Sequence, residues 1–428
     1  MSVPQFVRKT GLVLVAGSGF TILLSHMAEF LEAPRCPVRD GGDPDLFPPE
    51  PLTSSMSQLG VANAVPSFAR AWNVECSTCH SAAPYLNEVG RDFKEAGYRF
   101  REGDGSIVPE AQQHQKISDQ LTLEPTSPLA FRVKSYLAQY DGDVVKTRPL
   151  HEVELLANGN VGEQVAYHIE LETEDEDAFV PAASGRLTWN PSRAINLFGG
   201  YTPLFSVDPY NSMAEGGHRL TVAHKAPLDA DYGTGLRLRK ASQNVGIYGR
   251  VGPLFYVVGG AAPTGSLEGE SPSLGFGRLA FELAPGVAFG GLLAGGGTSV
   301  EDATGGIADY AVMRAGGDFN AELGDLIIDG LFIAAGDGSS VGDNGWNLAG
   351  DLELLYTVHG AHASPVFLPL VRLDWTQAAN GGPTALASAL GVNSYVLSNV
   401  RVGAEADLTL VSDADKGYGV TLLVDSAF

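Results

Sequence analysis

The chain has 428 residues, 53 of them glycine, and 27 basic against 50 acidic side chains give a net charge of −23. A polyanion would be repelled by that excess, so nucleic acid is excluded as a partner and cations are favoured. The length suits two or three soluble domains, or one small domain followed by a large barrel; the high glycine and the 18% charged content favour extended, turn-rich structure.

At the N-terminus Arg8 and Lys9 precede Gly11–Leu24, an apolar run broken only by Gly17, Ser18, Gly19 and Thr21. Charge followed by a short apolar run is the order of a secretory signal, and fourteen residues are too few for a membrane span. Residues 1–33 are therefore assigned as an export leader. Residues 34–64, rich in Pro, Gly and Asp, form a linker in which Ala62-Asn63-Ala64 offers a cleavage point after Ala64. An uncleaved N-terminal anchor is the alternative. Cys36 is given no role.

Residues 65–115 form the next unit. Cys76-Ser77-Thr78-Cys79-His80 has the spacing of a c-type haem attachment site, in which two thiols anchor the ring covalently and the adjacent imidazole meets the iron. A zinc half-site would need further soft ligands, and the third cysteine, Cys36, lies far upstream. A thioredoxin-like dithiol would need a βαβ setting that the flanking sequence lacks. One haem c is expected, with Cys76 and Cys79 as attachment points and His80 as one axial ligand. The candidate sixth ligand is His114, the nearest histidine downstream, with Met213 and Met56 as the other options. Beyond Pro84, Leu86, Val89, Phe93 and Ala96 recur at helical spacing and Gly97 ends the run, which predicts a short amphipathic helix with its greasy face toward the porphyrin. About thirty-five residues cannot enclose a haem alone, so this segment must borrow walls from the downstream part of the chain.

Pro66-x-Phe68-Ala69-Arg70, the CxxCH at 76–80, and Pro84-x-Leu86-Asn87-x-x-Gly90-x-x-Phe93-x-x-x-Gly97-Tyr98 resemble the N-terminal signature of the fused monohaem cytochrome–porins of bacterial outer membranes. The close match covers only these residues; beyond them the likeness is one of layout, and the long leader before Pro66 departs from the pattern. The resemblance implies outer-membrane location, extracellular Fe(II) or another one-electron donor, and a periplasmic cytochrome as acceptor.

From residue 116 to 428 the pattern is period two. Leu348, Leu352, Leu354 and Tyr356 alternate with Asn347, Asp351 and Glu353; Val400, Val402, Ala404, Ala406, Leu408 and Leu410 alternate with residues that include Arg401, Glu405 and Asp407. Similar alternation marks 161–171, 232–240 and 278–283, and Asn158-Gly159 is the expected hairpin turn before 161. The fifteen runs are 128–140, 148–157, 161–173, 182–190, 193–202, 231–241, 243–261 (kinked at Gly252-Pro253), 273–284, 286–296, 307–319, 324–335, 345–358, 365–377, 394–410 and 416–428. A single-chain barrel closes on an even number, so sixteen is expected, with the error in 203–230, 243–261 or 378–393. The final strand ends on Phe428, and the acidic or glycine-rich stretches 173–181 and 336–344 read as surface loops. The predicted fold is an all-β membrane protein: a roughly 16-stranded antiparallel outer-membrane β-barrel with a small N-terminal helical c-type cytochrome segment.

The expected function is electron transfer across the outer membrane, with lipid as surroundings and no nucleic acid. The alternatives are a porin whose haem segment is a structural or regulatory plug, a conduit for a donor other than iron, and a soluble periplasmic β-protein carrying a haem. No Ser/His/Asp set, phosphate loop or paired-carboxylate site stands out at recognisable spacing.

Overall fold

The computed structural model describes residues 66–101, 115–116, 122–123, 127–141, 144–162, 164–175, 178–210, 212–213, 219–230, 234, 236–262, 273–301, 307–360, 365–397, 399–412 and 416–428, all within one compact unit spanning 57–428. The leader, the linker, Ala64, Met56 and His114 lie outside the described residues.

Sixteen antiparallel strands close a barrel in which each pairs with its sequence neighbours and the last pairs with the first. They are β1 (Leu129–Asp141), β2 (Val144–Val161), β3 (Val165–Glu174), β4 (Ala182–Trp189), β5 (Asn196–Thr202), β6 (Ser242–Val251), β7 (Leu254–Ala261), β8 (Leu274–Ala284), β9 (Val287–Glu301), β10 (Ile307–Leu323), β11 (Leu326–Gly338), β12 (Asn347–Tyr356, continued by Val358–His359), β13 (Pro365–Gln377), β14 (Thr384–Leu397), β15 (Val400–Val411) and β16 (Gly417–Ala427). The wall starts at Leu129 rather than at 116; among the described residues from 115 to 123 there is a two-stranded ribbon, Gln115–Lys116 against Thr122–Leu123.

The count of sixteen stands, with three changes. The described residues of the run 231–241 form no strand. The run 243–261 is two, because Gly252-Pro253 is a turn between β6 and β7. The run 394–410 divides at 398–399, its first part belonging to a strand that starts at Thr384. Asn158-Gly159 lies inside β2, and the turn comes at Gly162, whose φ of +63° glycine adopts without strain.

Alternation decides which face meets lipid. On β12 Leu352, Leu354 and Tyr356 point out while Asp351 and Glu353 are buried in the lumen; on β8 Leu279, Phe281 and Leu283 point out and Arg278 points in. Exposed aromatics gather toward the two ends of the strands, with Phe131, Trp189, Phe281 and Tyr356 at one and Phe179, Trp346 and Tyr418 at the other, as interfacial girdles do. Among the described residues no helix is long and apolar enough to cross a membrane. Phe428 exchanges both backbone hydrogen bonds with Phe131 (3.0 and 2.7 Å), sealing the seam between the last and first strands.

The two rims differ. At the end where β1 begins and β16 finishes, the connections 252–253, 285–286, 324–325 and 398–399 are two residues each; at the other end the β5–β6 connection runs from 203 to 241. That long connection folds into the lumen. Asp208 pairs with Arg278, Thr234 donates to Asp337 (2.7 Å), Lys225 pairs with Asp329, and the N–H of Val222 donates to Glu405 (3.0 Å). Leu236 and Leu238 are buried in a luminal cluster with Phe205, Tyr210, Phe255 and Phe276. The alternation at 232–240 therefore packs a loop, while Arg237 and Arg239 turn back to Asp229.

Candidate functional site

Residues 66–100 occupy the lumen at the short-turn end. Helix α1 (Pro66–Trp72) leads to a single 3₁₀ turn at Cys76–Thr78, a pair of short strands (His80–Ala82 with Tyr85–Leu86) and helix α2 (Glu88–Glu95). Asn87 links motif to helix: its side-chain oxygen caps α2 by accepting from Gly90 N–H (2.9 Å), while its amide nitrogen donates to the carbonyls of Ser77 and Thr78 (3.3 and 3.2 Å). Gly90 is required at this contact, since a Cβ there would collide with the Cys79 carbonyl. Gly97, at φ +67°, ends the helix as expected.

The face of α2 carrying Phe93 packs within the segment itself. Phe93 packs on Phe68, Trp72, Tyr98 and Phe100 with ring centroids 4.7–6.1 Å apart, giving the segment an aromatic core of its own, and Val89 is exposed. On α2, Gly90 is the residue that lies against the Cys79 carbonyl.

The wall supplies what the segment lacks. Arg99 donates to the carbonyls of Gly162 and Val165 (3.0 and 2.8 Å), Glu95 pairs with Arg250, Tyr85 donates to Glu353, and Tyr395 donates to the Ala83 carbonyl (2.9 Å). Beside the motif, Ala82 and Tyr85 join Ile327, Leu355, Leu368, Leu370, Tyr395 and Leu220 in a buried apolar cluster. Inward-facing aliphatics on β11 to β13 form this cluster, which is separate from the larger luminal cluster around Phe205 and gives the motif an apolar neighbour.

Cys76 and Cys79 are half-buried and form no disulfide. Burial, helped by the neighbouring Cys76, pushes the Cys79 thiol up to about 12, the opposite of what a dithiol exchanger needs. Burial pulls the His80 imidazole down to about 4, and its Nδ1 is buried without a hydrogen-bond partner. A neutral imidazole is the form that ligates a metal. Two adjacent thiols, a neutral histidine and an apolar wall are residues that fit a thioether-anchored haem. Met213, one of the candidate sixth ligands, belongs to the luminal cluster around Phe205 and not to the cluster beside the motif.

Sequence reasoning missed Tyr85, Glu353 and Tyr395 as the contacts seating the motif, and Asp208 and Lys225 as luminal ion-pair partners. Inward charges on consecutive strands were the available signal, since each needs a counter-charge.

With wall, lumen and both inward segments described, the architecture is decided. The fold is that of a bacterial outer-membrane porin. Among solved structures the chain is similar to the loop-L8 deletion mutant of OmpT, an outer membrane protein of Vibrio cholerae (14% identity over 70% of this chain and 98% of that chain, TM-score 0.50). It is also similar to the anion-selective porin from Comamonas acidovorans (13% identity over 70% and 98%, TM-score 0.50). At such identity the likeness speaks for the fold alone. No protein-family model matches the chain, and no curated protein matches it. A porin-type barrel with an apolar belt belongs in the outer membrane.

Proposed function

We propose that this porin-type barrel carries one covalent haem c on Cys76 and Cys79, with His80 as axial ligand, and that it transfers electrons across the outer membrane as a fused monohaem cytochrome–porin. The observation that carries the reading is the position of the CxxCH motif, inside the barrel at the short-turn mouth and beside the buried aliphatics Ile327, Leu355, Leu368 and Leu370. When bound, the group supplies a one-electron couple.

The chain's own residues do the rest. The two thiols anchor the group, His80 offers a neutral nitrogen, and Asn87 fixes the motif against α2. The aliphatics of β11 to β13 exclude water, while Tyr85 and Tyr395 hold the segment to the wall. The donor is extracellular Fe(II), whose ferric product precipitates near neutral pH and is best left outside, and the acceptor is a periplasmic cytochrome reached from the short-turn mouth. His114 is the candidate sixth ligand.

The test is anaerobic mixing of purified, haem-loaded protein with Fe(II) while the absorption bands are followed. Appearance of the ferrous bands is expected, and an unchanged ferric spectrum would overturn the iron donor. Bare thiols at 76 and 79 in the mass spectrum of protein from a host competent in haem attachment would overturn the haem.

A further inference from the structure

Strands β2 and β3 pair so that Glu152 stands opposite Glu174 and Glu154 opposite Glu172, all on the luminal face, while Leu155 and Leu171 of the same ladder point to lipid. Like charges directly opposed across a ladder destabilise it. Arg132 and Lys134 pair with Glu152, and Arg132 also with Glu154 and Asp425. No such partner serves the other two: among the described residues Glu172 and Glu174 form no ion pair. Among the described residues Arg132 and Lys134 are the basic side chains in ion pairs with these two facing pairs of carboxylates, and Arg132 serves Asp425 as well.

A histidine joins this excess of charge. The β1–β2 register breaks between Lys134 and Tyr136, which turns His151 inward beside Glu152. Its ring stacks on the buried Tyr136 at 4.2 Å, and its Nδ1 lies 2.9 Å from Asp175, the carboxylate-to-imidazole contact that orients liganding histidines. Ligand atoms of His151, Glu152 and Glu174 all lie within 4.8 Å of one another.

The geometry points to a divalent-cation site formed by His151, Glu152 and Glu174 in the half of the lumen nearest the long connections. One imidazole and two carboxylates suit a first-row cation such as Mn(II) or Fe(II), and a cation there offsets the repulsion that the ladder otherwise bears. From this site the luminal face of β3 leads through Glu172 and Glu170 to His168, whose ring stacks on Tyr98 of the segment at the opposite mouth (6.3 Å). A cation entering from the outer side thus meets carboxylates along the wall as far as residues 66–100. The assignment stands on the wall alone and requires no haem.

The test is titration of the full chain in detergent micelles with Mn(II), followed by loss of the free-ion electron paramagnetic resonance signal. High NaCl screens diffuse attraction to the acidic wall. One saturable site is expected, weakened at least tenfold by Glu174→Gln, which breaks no ion pair, and by His151→Gln. Heat-dependent gel migration checks that both variants remain closed barrels. Absence of saturable binding, or binding that both variants leave unchanged, overturns the site. Because Mn(II) binding is read without reference to haem content or reduction, its outcome is independent of the electron-transfer reading.

Discussion

The two segments that enter the lumen are held in different ways. Residues 66–100 bring a core of their own, four aromatic rings around Phe93, and are tied to the wall at the short-turn end by side-chain contacts from Arg70 on the Leu129 carbonyl to Arg99 on the Gly162 and Val165 carbonyls. Among its described residues the 203–241 connection has no secondary structure beyond one short helix, Ala226–Asp229, and it borrows its order from the wall: Asp208 sits on Arg278, Lys225 on Asp329, and its carbonyls at 223 and 224 on Arg372. A self-cored module can be loosened without harm to the barrel, whereas the wall and the inward connection are one electrostatic structure. The segments meet where Lys94 donates to the Asp208 carbonyl and where Arg250 serves both Glu95 and Tyr210.

That contrast is open to attack. Arg278→Met should have the largest effect, because it leaves Asp208 and Asp318 buried without their cation, at a cost of roughly 3–5 kcal/mol. The temperature at which the barrel loses its fast gel mobility should fall. Phe93→Ala should cost about 3 kcal/mol within the N-terminal segment. Limited proteolysis should then cut residues 66–100 while the barrel keeps its mobility; loss of the barrel as well would show that the segment is not an independent module. Tyr85→Phe removes one hydrogen bond to the buried Glu353 and should cost about 1–3 kcal/mol, read as faster amide exchange in the 80–86 strand pair. Asn87→Ala removes the α2 cap and should cost about 1 kcal/mol, visible as faster amide exchange in the first turn of α2 with β1 to β16 unchanged.

Legibility in the sequence followed the same division. Strands with lipid on one side and charge on the other announce themselves, as β12 and β15 do, because alternate residues meet opposite solvents. β7 broke the pattern: Phe255 and Val257 face a luminal apolar cluster while Val258 faces lipid, so both faces are greasy and the turn at Gly252-Pro253 passed for a kink. The run 231–241 failed in reverse. Leu236 and Leu238 alternate with Arg237 and Arg239 for reasons of loop packing, and period two alone does not distinguish that from a strand. The CxxCH motif was legible because its chemistry is local. Its seating was not, since Glu353 and Tyr395 lie some 270 and 310 residues away along the chain, and no local pattern encodes such distant pairing.

The bond pair between Phe428 and Phe131 gives Phe428 a structural role. Trimming a single amino acid from the carboxyl end would strip an N–H and a C=O of Phe131 of their mates at the hydrocarbon boundary, where no water stands ready to replace them. The ladder of Gly419–Ala427 against β1 closes the cylinder, and the Phe428 pair extends that closed edge by one more residue at the rim.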